Sequence, residues 1–300
     1  MTKAPDINYA VADRDLRYFV FDWDDNVLHM PTHIHLERLT DEGEWVPYSV
    51  STSLYSLIRN DTEHYRPPTD GAWEAAFRDF RDIEIEEENV FLRDTREAID
   101  RIVSGESARA PSFGTLKKVL TEGRLFAIVT ARGHDPEVLK AGVRYFIDRT
   151  FSPPEKRTML RNLRGYLEWL RPGHDRHSDD EVLEYYLGLN KYHGCMSPRF
   201  RELLREHNYE AAGTEEGKQF AIRDFVRHVI GILREHGVDR PISVGFSDDD
   251  EGNARAVETY IEQELAREFP GVKFAVYYTN DPDLPSGRKV EVRGQLSLGL

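Results

Sequence analysis

One cysteine, Cys195, stands among 300 residues. A single thiol excludes an internal disulfide and any thiolate metal cluster, so neither a disulfide-stapled scaffold nor a zinc finger is open to this chain. Basic residues are also short: 40 Lys and Arg face 54 Asp and Glu, a formal net charge of −14. Nucleic-acid backbones and anionic membrane surfaces require clustered cations, so neither is expected as the main partner. A small anionic substrate stays open, because it answers to the local field of a site. No apolar run reaches the length of a membrane span, and no apolar stretch that could serve as a signal peptide follows the polar Met1–Asp6. A cytoplasmic protein is the expectation. Internal repeats and low-complexity tracts are missing as well, which excludes a repeat architecture.

A hydrophobic content of 39 % is adequate for the core of one large domain, or of a domain carrying a smaller one. The chain is organised around Tyr18-Phe19-Val20-Phe21-Asp22-Trp23-Asp24-Asp25-Asn26-Val27-Leu28. Residues 17–22 read as a strand buried on both faces, as in the middle of a parallel sheet, and they run directly into three carboxylates. Acids so close together repel one another unless a cation or a bound ligand offsets them. Chemistry is expected where this strand ends.

Residues 1–28 are read as the first piece of the core. Residues 29–110 are read as an insertion: a hairpin from Thr32–Leu39 and Trp45–Val50, a helix between Asp70 and Phe80, and a second from Thr95 to Val103. The core resumes over 111–151. There an amphipathic helix with Phe113, Leu116, Val119 and Leu120 stops at Gly123, the strand Leu125–Val129 ends at Thr130-Ala131-Arg132-Gly133, and a helix opens with Asp135 as N-cap. The charged stretch 152–185 is read as a second, helical insertion with an exposed loop over Arg171–His177. Residues 186–300 return to the core, with a weak strand signal before Met196 and a long helix beginning near Lys218. The strand Pro241–Phe246 then runs into Ser247-Asp248-Asp249-Asp250, followed by a helix through Val257 and Ile261 and a last strand, Val272–Tyr278. Helices alternating with apolar strands predict an α/β fold: a Rossmann-like open parallel sheet with helices on both faces. Ligands bind such sheets at the carboxyl ends of the strands.

Asp22, Asp24 and Asp25, Thr130, and Asp248 to Asp250 therefore converge on one edge, with Lys218 near. Carboxylates from separate strand ends suit Mg²⁺, a hard cation that takes oxygen ligands. Together with a hydroxyl and a cation they offer what phosphoryl transfer needs.

With these residues in this order, the chain resembles the haloacid dehalogenase-like (HAD-like) superfamily. The matches are Asp22-Trp23-Asp24-Asp25-Asn26-Val27-Leu28 after an apolar strand, Ile128-Val129-Thr130-Ala131-Arg132 ending the second, Lys218 opening a helix, and Gly245-Phe246-Ser247-Asp248-Asp249-Asp250 ending a later strand. They cover roughly residues 15–30, 112–150 and 215–280; the insertions match nothing in the family pattern. The resemblance implies a Mg²⁺-dependent phosphatase acting on a small phosphomonoester. Asp22 would be the nucleophile that forms an aspartyl-phosphate, and Asp24 the general acid and base. Thr130 would hydrogen-bond the phosphoryl group, with Ala131 and Arg132 beside it as substrate contacts, and Lys218 would neutralise charge and hold Asp22. The metal ligands would be the Asp22 carboxylate, the Asp24 main-chain carbonyl, Asp248 and, nearby or through water, Asp249. The first acid of the last run, being nearest the strand end, ranks first.

Two positions depart from the family pattern: Asn26 stands where Thr or Val is usual, and Asp25 replaces a common Gly. Phe21-Asp22-Trp23 is similar to the phosphonate-cleaving branch, but an acid at Asp24 belongs with phosphatases and phosphomutases. A phosphomutase or phosphotransferase of the same fold is the alternative enzyme, and a phospholigand-binding module, supported by Asn26, the alternative outside catalysis. A receiver domain would carry its paired acids first in the chain; here they come last. His29, His33 and His35 are expected to face substrate or solvent rather than bind zinc.

Overall fold

Leu16–Phe21 forms β1 and alternates between two apolar clusters: Leu16, Tyr18 and Val20 enter one, and Phe21, with the partly buried Phe19, enters the other. The computed structural model describes residues 16–68, 72–85, 87–170, 177–281, 283–284 and 287–292. Asp70 and residues 171–176 of the predicted exposed loop lie outside them.

After β1 comes a small layer of its own. β2 (His33–Leu39) and β3 (Trp45–Ser51) pair antiparallel, with His33 opposite Ser51 and Leu39 opposite Trp45. α1 (Thr52–Ile58) follows, and β4 (Tyr65–Arg66) adds a third strand beside β2. The helix predicted up to Phe80 is a short α2 (Ala72–Ala76) followed by a 3₁₀ turn, Arg78–Phe80. Phe80 is thereby turned into the layer's own core with Ile34, Leu36, Val50 and Ala76. Two short strands, β5 (Glu84–Ile85) and β6 (Glu88–Asn89), lead into α3 (Val90–Ser104). That helix begins a turn earlier than its predicted start at Thr95, because the Asn89 side chain accepts from the Phe91 amide and caps it.

The remaining elements build the central sheet and its two helical layers. α4 (Phe113–Thr121) ends before Gly123, whose φ of 64° takes the left-handed region that stops a helix. β7 (Phe126–Thr130) is followed by α5 (Pro136–Thr150), α6 (Pro153–Leu170), α7 (Asp179–Gly188) and β8 (Lys191–Gly194). Residues 152–185, read above as an insertion, thus contribute two helices to the crossover between β7 and β8. Met159, Leu163, Val182 and Tyr186 pack them into the cluster that holds Phe126 and Ile128. α8 (Pro198–Glu206) and α9 (Thr214–Glu235) cover the other face, with Phe220, Phe225 and Val229 against Val20, Ala127 and Val129. β9 (Ile242–Asp248), α10 (Glu251–Tyr260), a π turn (Ile261–Leu265), α11 (Ala266–Glu268), β10 (Val272–Tyr278) and β11 (Arg288–Val292) complete the chain.

The six strands lie in the order β11-β10-β9-β1-β7-β8, all parallel except β11. This is an α/β fold with a mainly parallel sheet and helices on both faces, in the order of a doubly wound fold. Taken along the chain, the strands run outward from β1 to β8 and then restart on its other side at β9. The reversal leaves a crevice at the carboxyl ends of β1 and its two neighbours, and Asp22, Thr130 and Asp248 sit there. β11 was not anticipated: as an edge strand with Arg288, Lys289 and Glu291 exposed, it carries little apolar signal. No helix among the described residues is long and apolar enough to cross a membrane.

Candidate active site

Asp22 is the first residue past β1, and the turn after it is held from below. Trp23, Val27 and Leu28 are fully buried in the apolar cluster, with Trp23 against Phe91 at 5.6 Å between ring centroids. The amides of Val27 and Leu28 both donate to the Trp23 carbonyl. Asp25 has a φ of 52°, the left-handed region that favours glycine, at the position where the family pattern has Gly. Its carboxylate accepts from Thr52 at the start of α1 and pairs with His29 at 3.0 Å. With apolar side chains pointing down, Asp22, Asp24 and Asp25 are left on the wall of a cavity of about 490 Å³.

Asn26 braces the strand ends. Its Nδ2 donates to the Asp22 carbonyl (2.9 Å) and to the carbonyl and hydroxyl of Ser247, while its Oδ1 accepts from Ser112 and Thr279. Thus β1, β9, the end of β10 and the start of α4 meet at one buried amide. Asn26→Ala orphans several of these polar groups and is expected to lower unfolding free energy by roughly 2–4 kcal/mol, measured by urea denaturation. A loss under about 1 kcal/mol would mean that water replaces the amide.

Lys218, in the second turn of α9, donates from Nζ to Asp22 Oδ1 at 2.8 Å and to Asp248 Oδ2 at 2.6 Å. All three side chains are buried. Burial, the largest effect on Lys218, disfavours its charge, but Asp22 and Asp248 outweigh it and hold the ammonium well above the usual lysine range. Burial pushes Asp22 well above the ordinary carboxylate range, with Asp248 and Asp24 adding to the shift and Lys218 opposing it. Asp249 is raised in the same way, by burial and then by Asp22 and Asp248. The carboxylate oxygens of Asp22, Asp248 and Asp249 lie within 4.8 Å of one another. One lysine does not neutralise two buried acids and a partly buried third, and an all-oxygen donor set with that deficit fits a hard divalent cation.

The third acid of the run does something else. Asp250 caps α10 by accepting from the Asn253 amide, and pairs with Arg59 at 2.9 Å. The Asp24 carboxylate is outside the three-acid group; its main-chain carbonyl accepts from the Asn26 amide at 2.6 Å.

Thr130 ends β7, and its hydroxyl donates to Asp24 at 3.3 Å. Arg132, read above as a substrate contact, is fully buried, and its Nε and Nη2 donate to Asp24 at distances down to 2.6 Å. Nη2 also donates to Thr32, whose hydroxyl passes on to Asp94 at 2.5 Å. The guanidinium carbon lies over the rings of Phe80 and Phe91, 4.6 and 5.5 Å from their centroids. It fixes the orientation of Asp24 from behind, while Ala131 lines the cavity. This loop is clamped to β8 by bonds from the Cys195 and Met196 amides to the Thr130 and Arg132 carbonyls. A Cβ at Gly194 would lie 2.4 Å from the His134 carbonyl oxygen and 2.9 Å from that of Arg132. Gly194→Ala is therefore expected to displace the loop and cost roughly 1–3 kcal/mol, read as a lowered urea midpoint. An unchanged midpoint would show that the loop yields freely.

His134 is buried, and burial followed by the charge of Arg132 pushes its pKa down to about 3, so it is neutral. His35 bonds Asp79 at 2.7 Å and Ser49 at 3.1 Å, and His33 is exposed. Among the described residues, His29, His33 and His35 form no metal-ligand group. The parts not anticipated are the Arg132–Asp24 clamp, the Asn26 brace and an aromatic wall of Tyr55, Trp73, Phe77 and Phe80 above the acids. None has a local sequence signal, since each depends on the fold bringing distant segments together.

Compared with known proteins, the chain matches no family model, no curated protein and no solved structure.

Proposed function

We propose that this chain is a Mg²⁺-dependent phosphatase of the haloacid dehalogenase-like kind, acting on a small phosphomonoester through Asp22. The observation that carries the reading is the pair of buried acids Asp22 and Asp248 bonded to Lys218, with the partly buried Asp249 beside them, at the strand ends where the doubly wound order reverses. Asp22, Asp248 and Asp249 would hold the ion, which when bound supplies positive charge against the carboxylates and the phosphoryl oxygens.

The protein's own groups carry the steps. An Asp22 oxygen bonds to phosphorus as the ester P–O bond breaks, and the departing oxygen takes a proton from Asp24. Water then attacks the same phosphorus, Asp24 accepts its proton, and the P–O bond to Asp22 breaks to release phosphate. A positioned acid and base of this kind contributes roughly 10²- to 10⁴-fold. Arg132 and Thr130 fix the carboxylate that must face both the leaving oxygen and the water. Lys218 holds Asp22 in place and offsets the charge of the incoming group. The binding-module alternative rested on Asn26; that side chain braces the strand ends, which catalysis needs as much as binding does.

The test is phosphate release from an aryl phosphate with Mg²⁺. Turnover that stops on chelation and returns on adding Mg²⁺ is expected. No release from a broad panel of phosphomonoesters would overturn the reading.

A further inference from the structure

The cavity of about 490 Å³ is much larger than a phosphoryl group needs, and lies in the size range of sites that enclose a whole small molecule. Its floor is the acid cluster; its wall is aromatic. Tyr55 and Phe77 pack against the small apolar core of the β2–β3 layer, and Phe80 is part of it. Trp73 does not belong to that core. It meets Tyr55 and Phe77 at ring-centroid distances of 6.5 and 6.1 Å, yet remains 47 % exposed while lining the cavity. An indole left half open at a concave site has unburied apolar surface available to a ligand.

The charges along the wall narrow what that ligand is. Carboxylates outnumber cations there by two to one. Three of the four cations are already paired: Lys218 with Asp22 and Asp248, Arg132 with Asp24, and Arg59 with Asp250. Among the described residues of the wall, only the exposed Arg81 is left to meet a second anionic group. A leaving group with further phosphates or carboxylates is disfavoured by this field, whereas a neutral ring is not.

We propose that the site selects phosphomonoesters whose leaving group is uncharged and carries a flat aromatic ring, seated against Trp73. The proposal rests on the hydrolase reading for the position of the phosphoryl end, and on the aromatic wall for everything else.

Calorimetric titration of the intact protein with adenosine and with ribose tests it without any turnover. Stacking of a base on an aromatic side chain gives roughly 5- to 150-fold in affinity, so adenosine is expected to bind at least about tenfold more tightly than ribose. Trp73→Ala is expected to bring the two within about threefold, while Trp73→Phe, which keeps a ring, retains most of the preference. Equal binding of adenosine and ribose, or a preference that Trp73→Ala leaves intact, overturns the proposal. Hydrolysis of adenosine 5′-monophosphate and ribose 5-phosphate separates the two claims. Trp73-dependent binding of adenosine, with phosphate released from neither ester nor from the broad phosphomonoester panel, sinks the hydrolase reading and supports the aromatic site. Equal release from both esters, with no preference for adenosine, does the reverse.

Discussion

Asp22→Asn is expected to abolish phosphate release, with a fall in kcat on the order of ten-thousandfold or more, as for loss of an enzyme nucleophile. The amide keeps an oxygen that can accept from Lys218 Nζ, now 2.8 Å from Asp22 Oδ1, so local geometry is preserved while the attacking charge is removed. Stability moves the other way. Burial and the charges of Asp248 and Asp24 raise Asp22 well above the ordinary carboxylate value, so without metal the native state holds a proton that the unfolded chain gives up. A raised acid makes the unfolded state the weaker proton binder. Metal-free stability therefore falls as pH rises from the unfolded carboxylate value of about 4 through the raised native value. Asp22→Asn removes its share of that fall, and the metal-free variant is expected to be at least as stable as the natural protein at neutral pH. Urea titrations at several pH values check this. An inactive variant that is also much less stable would instead mean that Asp22 is a structural partner of Lys218.

Lys218→Met is expected to have the second-largest effect. It takes one positive charge out of a site where Asp22, Asp248 and Asp249 are crowded within 4.8 Å, and it leaves two buried hydrogen bonds without a donor. Breaking a buried ion pair by removing one partner costs roughly 3–5 kcal/mol. The loss is expected to deepen as pH rises, because the acids can relieve their repulsion only by taking up protons. Mg²⁺ is expected to recover part of the stability and little of the activity, since the lysine also positions Asp22. Lys218→Arg is not expected to rescue it: Lys218 is only 2 % exposed, and a planar fork does not fit the space of an ammonium. Equal loss of stability with and without Mg²⁺ would contradict the view that lysine and metal offset the same charge.

These residues differ in how legible they were. β1 and β9 announce themselves, because a strand buried on both faces reads as a nearly continuous apolar run, and the acids that follow each run mark its end. Lys218 was placed by its position at the start of an amphipathic helix. The division of labour within Asp248 to Asp250 followed from distance to the strand end, since the last of them is spent on capping α10. Arg132 was visible as a residue but not as a clamp, for its partners Asp24 and Thr32 are about a hundred positions away in sequence. Asn26 looked like a departure from a pattern, and only the meeting of Ser112, Ser247 and Thr279 around it gives the amide its place. Trp73 carried a helical period like any core residue, and its half-exposed position on the cavity wall depends on how the small layer folds back over the sheet.

The central claim is that Asp22 accepts the phosphoryl group. Rapid quenching of the enzyme in acid during turnover of an aryl phosphate with Mg²⁺, followed by peptide mass spectrometry, tests it directly. The expected result is one phosphoryl group per chain on the peptide carrying Asp22, absent from Asp22→Asn and from chelated enzyme. Steady release of phosphate with no label on that peptide, together with undiminished turnover by Asp22→Asn, would contradict it.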